Sequence, residues 1–155
     1  MTGSVVRSAT AADVDRIAAL VNAAFAVERF FIDGDRTNAS EVRTLLERGT
    51  FLVAENGGLV ACIYVEVRGA RGYFGLLSVD PDRQGSGLGR HLVAEAEAFC
   101  RQAGCAHMDI HTVDLRLELP PFYRRLGYLE TGTAPFPEDA HPKQPCHFIT
   151  MSKAL

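Results

Sequence analysis

Three glycines within eight residues, Arg83-Gln84-Gly85-Ser86-Gly87-Leu88-Gly89-Arg90, mark the segment of this chain whose chemistry is easiest to read. The run lies between a strand-like stretch and a helix-like one. Glycines at such a junction let the backbone turn tightly, with no Cβ in the way of an approaching ligand. Several backbone N–H groups then point into one concavity at the positive end of the helix dipole, which is a site for a pyrophosphate. Arg83 and Arg90 flank it and add positive charge. Two familiar phosphate loops do not fit. A P-loop requires Lys-Ser/Thr after its last glycine, and here Arg90-His91 follows. A Rossmann loop follows the first strand of a βαβ unit, whereas this one follows an antiparallel meander. A glycine-rich turn that holds nothing is the alternative reading of the bare glycines.

Other chemistries find little footing. Cys62, Cys100, Cys105 and Cys146 show no CxxC spacing, so they read as free thiols in a reducing compartment, with the cytoplasm as the expected location and no metal expected. The formal net charge of -3 argues against a nucleic-acid partner, because phosphate backbones require a basic surface. The apolar runs are too short to span a bilayer, so no membrane partner is expected. Met1 to Thr10 carries one Arg and no apolar core of a secretion signal. At 155 residues the chain suits one domain, 1–155, large enough to bury a real core.

The elements that must hold the loop follow from periodicity and punctuation. Val5-Val6-Arg7 reads as a short strand. Thr10-x-x-Asp13 resembles a capping box, and Val14, Ile17, Ala18, Val21 and Phe25 then recur at the spacing of one helical face. Glu28 to Arg36 reads as a loop, and Val42, Leu45 and Leu46 as a second helix stopped at Gly49. Phe51–Ala54 and Leu59–Val67 are strands joined by Glu55-Asn56-Gly57-Gly58, a hairpin signal because Asn and Gly accept positive φ. Tyr73–Val79 completes a meander that Asp80-Pro81 ends. A helix from about Gly87 to Ala103 presents Leu88, Leu92, Val93, Ala96 and Phe99, with Gly104 closing it. Ala106–Val113 is the next strand, and strand-helix-strand implies a right-handed parallel crossover. Pro120-Pro121 opens a short helix, Phe122–Leu126, closed by Gly127. Tyr128–Thr133 and His147–Ser152 are strands around a loop, 135–145, that holds four of the seven prolines. The predicted order is β-α-α-β-β-β-α-β-α-β-β. This is an α/β (α+β) chain: a mixed, largely antiparallel central sheet flanked by helices.

Ser78 to Arg90 resembles the coenzyme A segment of the GNAT acetyltransferases, an apolar strand ending in Val-x-Pro followed by Gln/Arg-x-x-Gly-x-Gly/Ala. Gln84, Gly87 and Gly89 fill its fixed positions. The family's order of elements matches the whole chain, most strongly from Tyr73 to Tyr128. The resemblance implies that Leu77, Ser78 and Val79 pair their backbone with the pantetheine arm. It also implies that backbone amides of Gly85, Ser86, Gly87, Leu88, Gly89 and Arg90 hold the pyrophosphate. Pro121-Phe122-Tyr123-Arg124-Arg125-Leu126-Gly127-Tyr128 is similar to the family's FYxxxGF segment. Its Tyr sits beside the coenzyme A sulfur, so Tyr123 becomes the candidate general acid, against a plain aromatic anchor. Many relatives carry an Asn seven residues earlier, where Arg116 stands here. Arg116 and Arg124 read either as phosphate contacts or as solvated charge.

In the family's ribosomal-protein N-terminal acetyltransferases a Glu serves as base at a position similar to His111, twelve residues before Tyr123. An imidazole has a suitable pKa, so His111 is a candidate base, and Glu66 and water are alternatives. The family's acceptor pocket forms between the first two helices and the sheet. That implicates the stretch from Glu28 to Arg36, with Glu28 attracting a cationic amine and Phe31 walling an apolar part. The same aromatics can equally be core. The implied activity is direct transfer of acetyl from acetyl-CoA, the cosubstrate, to a primary amine in a ternary complex, with a homodimer as the expected assembly. The alternatives are another acyl-CoA, a hydroxyl acceptor, or a non-catalytic coenzyme A-binding regulatory domain.

Overall fold

The computed structural model describes residues 4–155. Residues 1–3, part of the stretch read above for a secretion signal, lie outside them. The observed order is β1 (Val5–Ser8), α1 (Val14–Ala24), α2 (Ala39–Arg48), β2 (Thr50–Glu55), β3 (Leu59–Arg68), β4 (Arg71–Val79), α3 (Leu88–Gln102), β5 (His107–Val113), α4 (Leu119–Arg125), β6 (Leu129–Pro135) and β7 (His147–Ala154). These are the predicted elements in the predicted order. The strands form one seven-stranded sheet in the order β1-β2-β3-β4-β5-β7-β6. Only β4 and β5 run parallel, as a crossover through α3 requires.

The local signals act as expected. Asp13 accepts from the Thr10 N–H at 2.9 Å and Thr10 Oγ1 accepts from the Ala12 N–H, closing the box ahead of α1. Asp13 is buried and also takes Arg7 and Arg16, so one carboxylate ties β1 to α1. Its hydrogen bonds from Arg7 hold it far below the usual carboxylate range, overcoming the cost of burial. Gly57 takes φ 72 in the β2–β3 turn, and Asn56 N–H reaches Gly58 O at 2.9 Å.

Each face of the sheet has its own core. Ile17, Val21 and Val42 from α1 and α2 pack on Phe51, Val53 and Cys62. Leu92, Val93, Ala96 and Cys100 from α3 pack on Ile63, Phe74, Met108 and Ile110. The predicted inner face of α3 needs one revision. Phe99 is only partly buried, and Glu97 lies among the buried residues. Its carboxylate accepts from Tyr128 Oη at 2.7 Å and from Lys153 Nζ at 3.0 Å. A buried charge held in this way is costly to orphan, because removing one partner leaves the other unpaired. The network fastens the end of α4 and β7 to α3.

The functionally decisive feature is where the sheet comes apart. Parallel pairing of β4 with β5 covers only Arg71, Tyr73 and the residue between them, opposite His107 to Asp109. On the other side of β4, Gly75 faces Tyr64 but Ser78 faces Cys62, so Leu76 and Leu77 together oppose Ile63. That is a β-bulge, which bends the bulged strand and sharpens its twist. Leu76 carries the strain, at φ 52, a region that a branched residue rarely occupies. Beyond Tyr73 no strand among the described residues pairs with β4 on its β5 side, and the two strands diverge.

Candidate active site

A cleft of about 1120 Å³ fills that divergence, running from the glycine-rich loop past α4 to the segment after α1. At one end stands the N-terminus of α3. Gly87 caps it at φ 84, a left-handed conformation suited to glycine, and no side chain among the described residues caps the helix. The first intrahelical bond is His91 N–H to Gly87 O at 3.0 Å. The amides of the first turn therefore remain available to an anion. The loop is pre-shaped by its own side chains: Asp80 accepts from the Asp82 N–H and Ser86 Oγ donates to Arg83 O. A Cβ on Gly87 would meet nothing nearer than Arg90 at 3.9 Å, so the space beside it is open. A Cβ on Gly89 would make only ordinary contacts with Phe122, Val79 and Leu77 at 3.8–3.9 Å.

Gln84, Gly85, Ser86, Gly87, Leu88, Gly89, Arg90, Leu77 and Val79 all line the cleft. Ser78 does not, since its side chain is buried and its Oγ donates to Leu76 O at 2.9 Å. Only its backbone is placed for the role the resemblance implies. Arg83 also lines the cleft, and so does Arg125, which the sequence reading did not single out. Arg124 instead pairs with Glu130. These residues fit a pyrophosphate-bearing cosubstrate: uncapped amides, open space beside a left-handed glycine, and Arg83, Arg90 and Arg125 without an ion-pair partner among the described residues.

Mid-cleft, Tyr123 from α4 and His111 from β5 both line the opening. Tyr123 projects from α4 and is 6% exposed, with its ring against Phe74, Phe122 and Tyr128. Its hydroxyl has no hydrogen-bond partner among the described residues. Burial pushes the phenol well above its ordinary value, with the charge of Arg116 only partly opposing, so it stays protonated. On β5, Thr112 also lines the cleft, and its buried Oγ1 has no hydrogen-bond partner among the described residues. A buried hydroxyl left unpaired is costly and worth noting in a ligand cleft. His111 lies exposed to the cleft between the rings of Phe148, 4.2 Å away, and Tyr73, 5.5 Å away. Desolvation by these walls, then the charges of Arg36 and Arg68, hold its pKa below the ordinary imidazole value. His111 is thus neutral at pH 7 and able to accept a proton.

Glu66, the alternative base, lies outside the lining and is already engaged. It accepts from Tyr64 Oη and Arg68 Nε, each at 2.6 Å. Burial would raise its pKa, but these bonds and the charges of Arg68 and Arg48 keep it lowered.

The far end of the cleft differs most from the sequence reading. Glu28 lines it, but Arg116 Nη1 sits 2.9 Å from its carboxylate. Arg116 also holds Glu118 at 2.8 Å and its side chain is only 15% exposed, so it is neither solvated nor free for a phosphate. Burial still raises the Glu28 carboxyl above its ordinary value, with Arg116 opposing. Phe31 is wholly buried, edge-on to Phe30 and Phe136, and does not touch the cleft. The apolar wall expected of it is made by Phe25, Phe136 and Phe148, with Phe31 behind Phe136. No local signal distinguished these rings, because the chain from Pro135 to Phe148 folds back over a segment more than a hundred residues earlier.

Comparison with known proteins agrees with this geometry. The family model described as an acetyltransferase (GNAT) domain matches residues 47–130, which include the meander, the loop and α4. Blasticidin-S acetyltransferase of Streptomyces morookaense is 35% identical over 101 residues, spanning 64% of this chain and 73% of that protein. An amino-acid acetyltransferase of Ralstonia nicotianae is 30% identical over 86% of this chain, which spans only 28% of that longer protein. The solved structure of a ribosomal-protein-alanine N-acetyltransferase from Brucella melitensis superposes with a TM-score of 0.77, covering 97% of this chain and 99% of that one at 22% identity. At that identity it speaks for the fold alone. The chain belongs to the GNAT acetyltransferases.

Proposed function

We propose that this acetyltransferase moves the acetyl group of acetyl-CoA to a primary amine, directly, with both substrates bound in the one cleft. The observation that carries this reading is the continuity of the β4–β5 opening. It leads from the uncapped N-terminus of α3 to a point flanked by a protonated phenol and a neutral imidazole. Acetyl-CoA supplies an acetyl thioester, and every other task falls to the chain. First-turn amides of α3 with Arg83, Arg90 and Arg125 bind phosphate charge. The unpaired backbone of β4 from Leu77 to Val79 offers ladder groups to an extended amide-bearing arm, as a sheet edge does.

His111 takes the proton that the amine must lose to attack. Tyr123 serves the departing sulfur. Its pKa lies far above that of a thiol, about 8.5, so complete proton transfer to the thiolate runs uphill. Its contribution is a hydrogen bond to the developing charge in a cleft partly closed to water, with the thiol's proton supplied by solvent. The names of the two curated relatives support acetyl transfer.

The test is titration with acetyl-CoA in a calorimeter, followed by a free-thiol assay across an amine panel, on wild type and Tyr123→Phe. Binding with amine-dependent thiol release is expected. Phe keeps the ring packing and removes the donor, so kcat should fall roughly tenfold to a thousandfold while acetyl-CoA affinity holds. Binding without thiol release for every amine would replace this reading with the non-catalytic, coenzyme A-binding one.

A further inference from the structure

Four arginines of the cleft lining have no ion-pair partner among the described residues: Arg36, Arg83, Arg90 and Arg125. Three of them belong to the phosphate end. Arg83 and Arg90 flank the loop, and Arg125 ends α4, the helix whose Phe122 faces Gly89. Arg36 is at the other end. It follows the loop after α1, its guanidinium lies over the ring of Phe25 at 5.5 Å, and its charge is felt by Glu28, Tyr73 and His111. A cation held over an aromatic face, without a carboxylate, keeps its hydrogen-bonding fork free.

The carboxylates around Arg36 are committed elsewhere. Glu28 and Glu118 share Arg116, Asp33 pairs with Lys143 at 2.9 Å, and Asp35 with Arg29 at 3.4 Å. Glu41 accepts from Thr37 Oγ1 at 2.8 Å. Asp139, on an exposed turn, is the one lining carboxylate without a partner among the described residues. The acceptor end therefore presents, beside apolar rings, one guanidinium without an ion-pair partner among the described residues, while Glu28, Asp33, Asp35 and Glu118 are held in ion pairs of their own.

We infer that the acceptor is an amine that also bears a carboxylate, as an amino acid does. Arg36 takes the carboxylate in its fork, and the apolar body lies among Phe25, Tyr73 and Phe148. A single free guanidinium, with no helix N-terminus or second free cation beside it, matches a monoanion better than a phosphate. With the carboxylate held there, the nitrogen is directed toward His111 and the thioester. The amide C–N bond forms as the C–S bond breaks. The nitrogen's proton passes to the imidazole, and the electron pair of the C–S bond leaves on sulfur, which is then protonated to the free thiol. This inference rests on the proposed acetyl transfer and assigns its acceptor class.

The experiment compares kcat/KM for matched acceptors, L-phenylalanine and L-methionine against their α-amides, in wild type, Arg36→Gln and Arg43→Gln. Acetyl-CoA titration of the same preparations runs alongside. An α-carboxylate raises the pKa of the neighbouring ammonium, so the amide has more free base and the comparison is biased against the inference. Wild type is expected to prefer the acids at least tenfold. Arg36→Gln should bring the ratio near parity through a higher KM for the acids, and Arg43→Gln, on exposed α2, should keep it. Equal or better use of the amides by wild type overturns the inference, as does an unchanged ratio in Arg36→Gln. Acetyl-CoA binding with no turnover of either acid overturns it too. Absence of acetyl-CoA binding instead strikes the proposed function, and the acceptor assignment falls with it.

Discussion

The two ends of the cleft are made of different materials. The phosphate end centres on one continuous stretch, Arg83 to Arg90, joined by Arg125 from α4, and the binding proposed for it relies on open backbone N–H groups and missing side chains. The acceptor end is made of side chains from four segments: Glu28 and Arg36 from the connection between α1 and α2, Tyr73 from β4, His111 from β5 and Phe148 from β7. A backbone site depends on φ angles that only certain residues adopt, so it leaves a compact pattern in the chain. A side-chain site depends on which segments the sheet brings together, and any one of its residues alone resembles an ordinary core or surface residue.

Substitutions can break or sharpen that contrast. At the acceptor end the largest expected effect is at His111. His111→Ala should lower kcat/KM at neutral pH by about a hundredfold if the imidazole is the base. The sign of the pH dependence follows from its lowered pKa. The ring is neutral and active above that value, and it loses function as pH falls through it, on the acid side of about 6.5. A pH–rate profile should show that limb in wild type and lack it in the variant. An identical acid limb in both would move proton removal to water.

A middle-sized effect separates two neighbouring glycines. Gly87→Ala places a Cβ on a residue at φ 84, beside open space that the cosubstrate is proposed to fill. Acetyl-CoA affinity should weaken about tenfold, near 1.4 kcal/mol. Gly89→Ala has a helical backbone and only ordinary contacts, so affinity should change less than about threefold, and stability should hold or rise by up to about 1 kcal/mol. Calorimetry and thermal unfolding on both variants decide the matter. Equal losses of affinity would show that backbone conformation is not what the phosphate end depends on.

The smallest effect is expected at Thr112, whose buried hydroxyl has no partner among the described residues. Thr112→Val should leave the free protein as stable or raise stability by up to about 1 kcal/mol, because it removes an unsatisfied polar group. A clear drop in melting temperature would show that the hydroxyl is already satisfied, and would withdraw Thr112 from the cleft's binding groups.

Much of the fold was legible because short-range rules applied. Asn56-Gly57 made its turn, Thr10 and Asp13 made their box, and Gly104 and Gly127 took the positive φ that ends a helix. The misreadings share one cause. Glu97 escapes a periodicity reading of α3 because its partners, Tyr128 and Lys153, lie 31 and 56 residues away. Arg116 gives no local sign of its ion pair because Glu28 lies 88 residues away. Phe31 could be placed as core, behind Phe136, only once the 135–145 loop had folded back over it.

By itself, then, the sequence determined the order of the elements and the loop that can hold a pyrophosphate, since both follow from local periodicity and from where glycine and proline fall. Tertiary structure alone decided that the sheet opens between β4 and β5. It did so through a bulge at Leu76, whose φ of 52 no residue-type signal announces. It also decided which charges cancel across the cleft and which guanidinium is left free. Ion pairs form between side chains that packing brings within a few ångströms, and chain separation says nothing about that distance.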